Sequence, residues 1–395
     1  MLASPAMRAP ASSFAATVVR LAPILLALSC SAGASLDESD ELGTESDAIA
    51  GHRDGTWTRL ATTGPAPSER STPAVAAIGH KIYVFGGGRD DVVNGDVAIY
   101  DDLHRFDTVK QRWDVLTPAG AIPPPRVFAA SVAHPPSRRM LVFGGAFFGP
   151  FFSDFSAYGD LWAYDVDANA WTELHPSNAG PSPRSRPSAW IVDDKLYIFG
   201  GVNSFFQVLD DLWVYDLDSN AWTELIPLGA AGSPPPRHEA ANGIRGGRLV
   251  IYGGEAIDEF FQFTVLDDTW EYRISSGTWT DVTPAAEDNV APPRNYGTAV
   301  TLGRHMYLQG GDTPGGDDCG AVFPQNPTGE LWRFDLHDRV WEQQFPGGDP
   351  LVRLKRINSA RVAGAMYVLG GFDFVCEDPV TPHQIWNHDV YRFEP

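Results

Sequence analysis

Beyond residue 55 the sequence predicts an all-β propeller of six repeated units, and three observations carry that prediction. A glycine pair follows an apolar, β-rich run six times, at Gly86-Gly87, Gly144-Gly145, Gly200-Gly201, Gly253-Gly254, Gly310-Gly311 and Gly370-Gly371. The steps between them are nearly even, a spacing that suits propeller blades. An acid recurs after each pair, at Asp102, Asp160, Asp211, Asp268, Glu330 and Asp389. Tryptophan follows the first five acids at a constant distance, at Trp113, Trp171, Trp222, Trp279 and Trp341. Short runs of period two lie between turn residues, with no long helical pattern.

Each unit opens with an arginine behind prolines or polar residues: Arg70, Arg126, Arg184, Arg237, Arg294 and Arg356. The runs before the glycine pairs (KIYVF, MLVF, KLYIF, RLVIY, HMYLQ, AMYVL) read as strands. The glycine pairs supply positive φ and let neighbouring units approach closely. The constant acid-to-tryptophan distance marks a hairpin of fixed length.

This pattern resembles the kelch motif, and Pro183 to Leu225 (PRSRPSAWIVDDKLYIFGGVNSFFQVLDDLWVYDLDSNAWTEL) is nearly a consensus repeat. The resemblance covers Gly55 to Pro395. It implies a six-bladed kelch β-propeller, each blade a four-stranded antiparallel sheet with strands A to D running outward from a central channel. After Asp389 no tryptophan strand follows, whereas Trp57 precedes the first arginine with no blade of its own. Trp57 is therefore expected to supply strand D of the last blade, so that the N-terminal strand closes the ring.

The 395 residues include 29 basic and 50 acidic side chains, a net charge of −21, which disfavours nucleic acid and anionic membrane as partners. Residues 1–34 read as an export signal. Arg8 and Arg20 precede an apolar run from Leu21 to Leu28, broken only by Pro23, and no acid occurs before Asp37. That run is too short to span a bilayer. Two processing routes are open. Ala32-Gly33-Ala34 fits cleavage before Ser35, while Ala27-Leu28-Ser29-Cys30 resembles a bacterial lipobox with Cys30 as the lipidated residue. The acidic stretch 35–54 reads as a flexible tether, which favours a lipid anchor. The expected location is extracytoplasmic: an outer-membrane or cell-envelope lipoprotein, otherwise a secreted protein. Cys319 and Cys376 remain as an even pair, and in that compartment a disulfide is expected.

Strand parity puts the B–C loops and D–A connections on one face and the A–B and C–D turns on the other. From second glycine to acid, the B–C segments vary in length, shortest between Gly201 and Asp211 and longest between Gly311 and Glu330. Variable loops on a rigid scaffold are where binding concentrates, so the B–C face is the one to search. Three sets of residues compete there. The six arginines are expected around the channel mouth, either as a cationic well or paired with the six acids as architecture. Phe147, Phe148, Phe151, Phe152, Phe155 and Tyr158, with Phe205, Phe206, Phe260, Phe261 and Phe263, put 10 of the 22 phenylalanines into three adjacent loops. These form either an apolar rim for a partner or a packed satellite cluster. Asp312, Asp317, Asp318, Glu377, Asp378, His383 and His388 offer oxygen and nitrogen ligands, but no known ligand spacing, and read as solvated loop charge.

Glu255-x3-Glu259-x3-Phe263 approaches the Glu-x3-Asp-x3-His motif of the iron-dependent specifier kelch proteins but lacks its histidine. The tyrosine–cysteine crosslink of galactose oxidase needs a free cysteine, which pairing would remove. No nucleophile elbow, phosphate loop, zinc pair or dinucleotide fingerprint occurs, and no cofactor is expected. The sequence thus reads as a monomeric, non-enzymatic recognition module that binds a protein or glycan through its B–C face. The alternative is a carbohydrate isomerase resembling the six-bladed periplasmic sialic-acid mutarotase, an analogy at the level of fold.

Overall fold

The computed structural model describes residues 54–91, 96–150, 153–258, 260, 262–285, 289–317, 325–349, 351, 353–378 and 381–395. The described residues contain strands and turns and no α-helix. Six four-stranded antiparallel blades succeed one another along the chain. Strands A to D of blade 1 are Ala74–Ile78, Lys81–Phe85, Leu103–Asp107 and Arg112–Leu116. Those of blade 2 are Ala130–His134, Arg139–Phe143, Leu161–Asp165 and Ala170–Leu174. Blade 3 comprises Ser188–Val192, Lys195–Phe199, Leu212–Asp216 and Ala221–Ile226, and blade 4 Ala241–Arg245, Arg248–Tyr252, Thr269–Arg273 and Thr278–Asp281. Blade 5 comprises Thr298–Leu302, His305–Gln309, Leu331–Asp335 and Trp341–Gln344.

Blade 6 takes strands A to C from Asn358–Val362, Ala365–Leu369 and Tyr391–Glu394, and strand D from Thr56–Arg59. Trp57 lies opposite Phe393 and Thr56 opposite Glu394, so the N-terminal strand closes the ring as the repeat count requires. Gly347–Gly348 adds a short parallel edge outside it.

The core is a set of inter-blade seams. In blades 2 to 5 each strand D tryptophan packs between an aromatic of its own strand C and one from strand B of the preceding blade. Trp171, for example, meets Tyr164 at 5.2 Å and Phe85 at 4.8 Å. Trp222, Trp279 and Trp341 repeat the arrangement. The C–D hairpins keep their length because the last residue of strand C caps the turn. Asp107, Asp165, Asp216 and Asp335 each accept two backbone N–H groups through Oδ1.

The glycine pairs sit where adjacent blades touch. Gly144 has φ of +65°, and a Cβ there would lie 2.4 Å from the carbonyl oxygen of Arg184 in the next blade. The N–H of the second glycine, Gly145, donates to that same oxygen at 3.0 Å.

Sequence reading treats the B–C segments as open loops, but most are ribbons. Gly88–Asp90 pairs with Val97–Ile99, Ala146–Phe147 with Ser156–Ala157, and Glu255–Ile257 with Phe263–Val265. In blade 6, Phe372–Asp378 pairs with Thr381–Trp386. These ribbons stand on the face that also carries the D–A connections.

Candidate functional site

Five of the six opening arginines are architecture. Arg184 is fully buried; its two Nη atoms donate to the Asp211 carboxylate at 2.7 and 2.9 Å, and Nη1 also reaches the Gly200 carbonyl at 3.1 Å. Arg70 grips Asp102, Arg126 grips Asp160 and Arg237 grips Asp268 in the same way, while Arg294 reaches Glu330 through one nitrogen at 2.7 Å. Burial works against ionising Asp102, Asp160 and Asp268. Hydrogen bonds from the arginine and from His104, Trp162 or Trp270 outweigh it and hold all three below the usual carboxylate range. These guanidinium groups are spent on their own blades.

Arg356 is different, and its placement corrects the sequence register. In blade 6 the place of the opening arginine is taken by Leu354: its carbonyl accepts the Gly311 N–H at 2.9 Å and would clash with a Cβ on Gly310 at 2.5 Å. Arg356 lies two positions further on and pairs with Asp90 of blade 1, while Asp389, its expected partner, pairs with Arg59 at 2.8 Å. The signal is present in the sequence. Arg70, Arg184, Arg237 and Arg294 all precede their glycine pairs by one and the same distance, and Leu354 keeps it where Arg356 does not.

Arg356 belongs to a second ring, one residue per blade: Thr72, Phe128, Arg186, Glu239, Tyr296 and Arg356. All six have positive φ, between 52° and 59°. Five backbone bonds link neighbours in this set, the N–H of one donating to the carbonyl of the residue in the preceding blade. Phe128 donates to Thr72 at 3.2 Å, Arg186 to Phe128 at 2.8 Å, Glu239 to Arg186 at 3.3 Å, Arg356 to Tyr296 at 2.9 Å and Thr72 to Arg356 at 3.2 Å. The last of these joins blades 1 and 6 along the inner edge of the propeller. Left-handed backbone at non-glycine residues is costly, and its recurrence in every blade makes it part of the scaffold. The side chains are not: the scaffold accepts Thr, Phe, Arg, Glu, Tyr and Arg at equivalent positions, so their identities are free to serve recognition.

These side chains meet over the channel. Arg186 lies 4.1 Å from the Phe128 ring centroid and donates to the Tyr296 hydroxyl at 3.3 Å, while its Nε is 3.6 Å from Glu239 Oε1. Arg356 stacks over Tyr296 at 5.1 Å and Phe128 at 5.6 Å. Such contacts strengthen when desolvated. Burial pushes the Glu239 carboxyl up to about 7 despite Arg186 and Arg356, and pushes the Tyr296 hydroxyl up to about 12. Just outside the ring, Asn295 Nδ2 donates to Glu255 Oε1 at 3.0 Å, His238 Nε2 lies 3.5 Å from Glu255 Oε2, and Lys355 pairs with Asp312. Burial keeps the His238 imidazole neutral and raises the Glu255 carboxyl. Sequence reading passes over Arg186, Glu239 and Tyr296, which carry no repeat signature.

The aromatic set divides in two. Phe148, 2 % exposed, packs with Val127 and Phe128 in a satellite cluster that Phe155 and Tyr296 border. Phe205 and Phe260 stand out in solvent, 89 % and 73 % exposed, and Phe147, Phe206 and Phe263 are exposed on the same side. Phe206 stacks on Phe155 at 4.9 Å, tying the B–C segments of blades 2 and 3 together. Tyr158 covers Arg126 at 4.5 Å. Phe151, Phe152 and Phe261 lie outside the described residues, as do Cys30, Cys319, Asp318 and Glu259. Of the acidic and histidine-bearing set, Asp312 is committed to Lys355, and His388 lies 3.2 Å from Glu69. Among the described residues no group of three or more His, Cys, Asp or Glu is placed to hold a metal ion.

The family model of the KLHDC2/KLHL20/DRC7 Kelch-repeats domain matches residues 74–311. The chain belongs to the kelch-repeat family. Among relatives, this kelch propeller is 30% identical over 283 residues to host cell factor 1 of Homo sapiens, covering 65% of this chain and 13% of that protein. It is 30% identical over 240 residues to the dynein alpha chain of the flagellar outer arm of Chlamydomonas reinhardtii, covering 56% of this chain and 5% of that one. To the leucine-zipper-like transcriptional regulator 1 homolog of Drosophila melanogaster it is 26% identical over 349 residues, 86% of this chain and 32% of the relative. The chain spans no more than about a third of the length of these curated relatives.

Proposed function

We propose that this kelch propeller is an exported recognition module that binds a protein or glycan partner through its B–C face. The observation that carries the reading is the row of solvent-facing phenylalanines, Phe147, Phe205, Phe206 and Phe260, on adjacent B–C segments of blades 2, 3 and 4. Large apolar side chains at the tips of a braced scaffold are the anchors that interfaces use. Kelch propellers are typically protein-interaction modules, and a protein partner accords with that. The arginine ring of the repeat has no part in the reading, since its side chains are satisfied within the blades.

Export rests on the signal-like residues 1–34, with Cys30 lipidated and the acidic stretch 35–54 as tether. Cys376 is disulfide-bonded, which supports a bridge to Cys319 and an oxidising compartment. The isomerase alternative draws on one observation, the convergence of Arg186, Arg356, Glu239 and Tyr296 at the channel mouth.

Replacing Phe205 and Phe260 together with serine tests the face. Both are so exposed that the melting temperature should hold within about 2 °C, surface changes costing roughly 0.5 kcal/mol or less. Binding to the envelope or extracellular partner should fall at least tenfold. Unchanged binding would remove the aromatic tips from the interface.

A further inference from the structure

The tips of two adjacent B–C segments carry one and the same device. Blade 3 presents Asn203-Ser204-Phe205-Phe206-Gln207, and blade 4 presents Asp258-Glu259-Phe260-Phe261-Gln262. In each, the N–H of the first residue donates to the carbonyl of the fifth at 3.1 Å. Oδ1 of that first residue also accepts two backbone N–H groups. These come from Phe205 and Gln207 at 2.9 and 3.1 Å in blade 3, and from Phe260 and Gln262, both at 2.8 Å, in blade 4. Such side-chain-to-backbone bonds fix a tight loop. Its third residue, Phe205 or Phe260, is held out in solvent, where the ring packs little against its own blade.

The surroundings of these tips are anionic. From Gly145 to Asp160, Gly201 to Asp211 and Gly254 to Asp268, the B–C segments of blades 2 to 4 contain no lysine and no arginine. The arginines that open the neighbouring units, Arg126, Arg184, Arg237 and Arg294, are buried against their acids. Asp154, Asp258 and Asp267 are exposed there, and none of the three has an ion-pair partner among the described residues. On the opposite face exposed cations meet acids: Arg138 pairs with Asp167, Lys195 with Asp216 and Arg304 with Asp335.

A phenylalanine face attracts a guanidinium or ammonium group, and unpaired carboxylates beside it add to that attraction. The molecule makes the aromatic contact internally, where Arg70 covers the Tyr100 ring at 4.4 Å. A polyanion or an anionic bilayer is repelled by the same charge. A glycan is poorly served, because phenylalanine has no polar edge. The polar groups of the blade 3 tip also bond each other, Asn203 Nδ2 donating to Gln207 Oε1 at 3.0 Å.

We propose, on the reading that these tips are the recognition surface, that they dock a cationic segment of a partner protein, with arginine or lysine side chains stacking on Phe205 and Phe260. Asp154, Asp258 and Asp267 supply the opposing charge.

Panning a library of short random peptides on the full chain tests this, with the Phe205→Ser/Phe260→Ser variant as comparison. The selected peptides should carry net positive charge and bind the variant at least tenfold more weakly. Their affinity should fall as salt rises from about 50 to about 500 mM. Asp258→Asn keeps the tip, because Asn203 makes the same two bonds in blade 3, and should weaken the selected peptides several-fold. Asn203→Asp, the reverse exchange, should tighten them several-fold. Neutral or acidic peptides that still need Phe205 and Phe260 overturn the cationic partner and leave the aromatic surface standing. Equal binding by the Phe205→Ser/Phe260→Ser variant removes the aromatic surface and the cationic partner together. Failure to select any peptide, or unchanged affinity in both Asp258→Asn and Asn203→Asp, overturns the cationic partner as well.

Discussion

Deleting residues 1–60 removes strand D of blade 6, and the structure sets the size of the loss. Trp57 is 3 % exposed and packs in the seam of blades 5 and 6 with Tyr307, Leu331, Met366 and Phe393. Leu60 is buried in the next seam, against residues of blades 6 and 1 such as Val84, Phe106 and Val390. Truncating a buried tryptophan costs about 3–5 kcal/mol and a buried leucine about 2–5 kcal/mol. The two side chains alone are thus worth roughly 5–10 kcal/mol, before the four register pairs with Tyr391–Glu394 are counted. A whole domain is usually stable by about 5–15 kcal/mol. Removal should therefore open the ring and expose the edge of strand C to aggregation. Urea denaturation followed by tryptophan fluorescence, with size-exclusion chromatography, measures this against a control lacking only residues 1–51. The control should unfold in one cooperative transition, and the longer deletion should elute as aggregate or lose that transition. Equal midpoints and slopes for the two proteins would refute the closure argument.

Arg184→Met leaves the Asp211 carboxylate in a site 9 % exposed without its guanidinium partner, and should cost about 3–5 kcal/mol in a denaturant titration. Asp389→Asn, by contrast, disturbs only a pair to the exposed Arg59 and should change stability by about 1 kcal/mol or less; equal losses would show that the two acids play the same part. Burial raises the folded-state carboxyl of Glu239 to about 7. The native state then holds a proton that the unfolded chain gives up at lower pH, so this residue lowers stability as pH rises from about 5 toward 8. Glu239→Gln should gain stability relative to the parent over that range, and a gap that stays constant or shrinks would contradict the burial argument. Intact mass of exported, non-reduced protein after alkylation should show no reactive thiol in residues 35–395; two alkylated cysteines there would exclude the Cys319–Cys376 bridge.

What is legible in the sequence is what the repeat repeats. Glycine pairs, strand C acids and tryptophans recur because each blade seam needs the same close approach, ion pair and aromatic plate, and six copies of them locate most of the strands. Two things escape. The opening of blade 6 is misplaced because Leu354 stands where an arginine is expected and Arg356 lies only two positions away, so that residue type and spacing point to different places. The channel ring escapes for a deeper reason. Thr72, Phe128, Arg186, Glu239, Tyr296 and Arg356 share a backbone conformation but no chemistry, and periodicity detects only shared chemistry. The aromatic loops are legible in place but not in role, since Phe148 and Phe205 look alike in sequence and differ only in what the ribbon packs beneath them.

Site-specific photo-crosslinking compares the two faces directly. A photoreactive phenylalanine analogue is placed at position 206, among the aromatic tips, or at position 109, where Val109 is 75 % exposed in the C–D turn of blade 1 on the opposite face. Irradiation of the exported protein in its native envelope should give a discrete adduct from position 206 that disappears when Phe205 and Phe260 are serine, and none from position 109. A discrete adduct from position 109, with none from 206, would place recognition on the other face of the propeller.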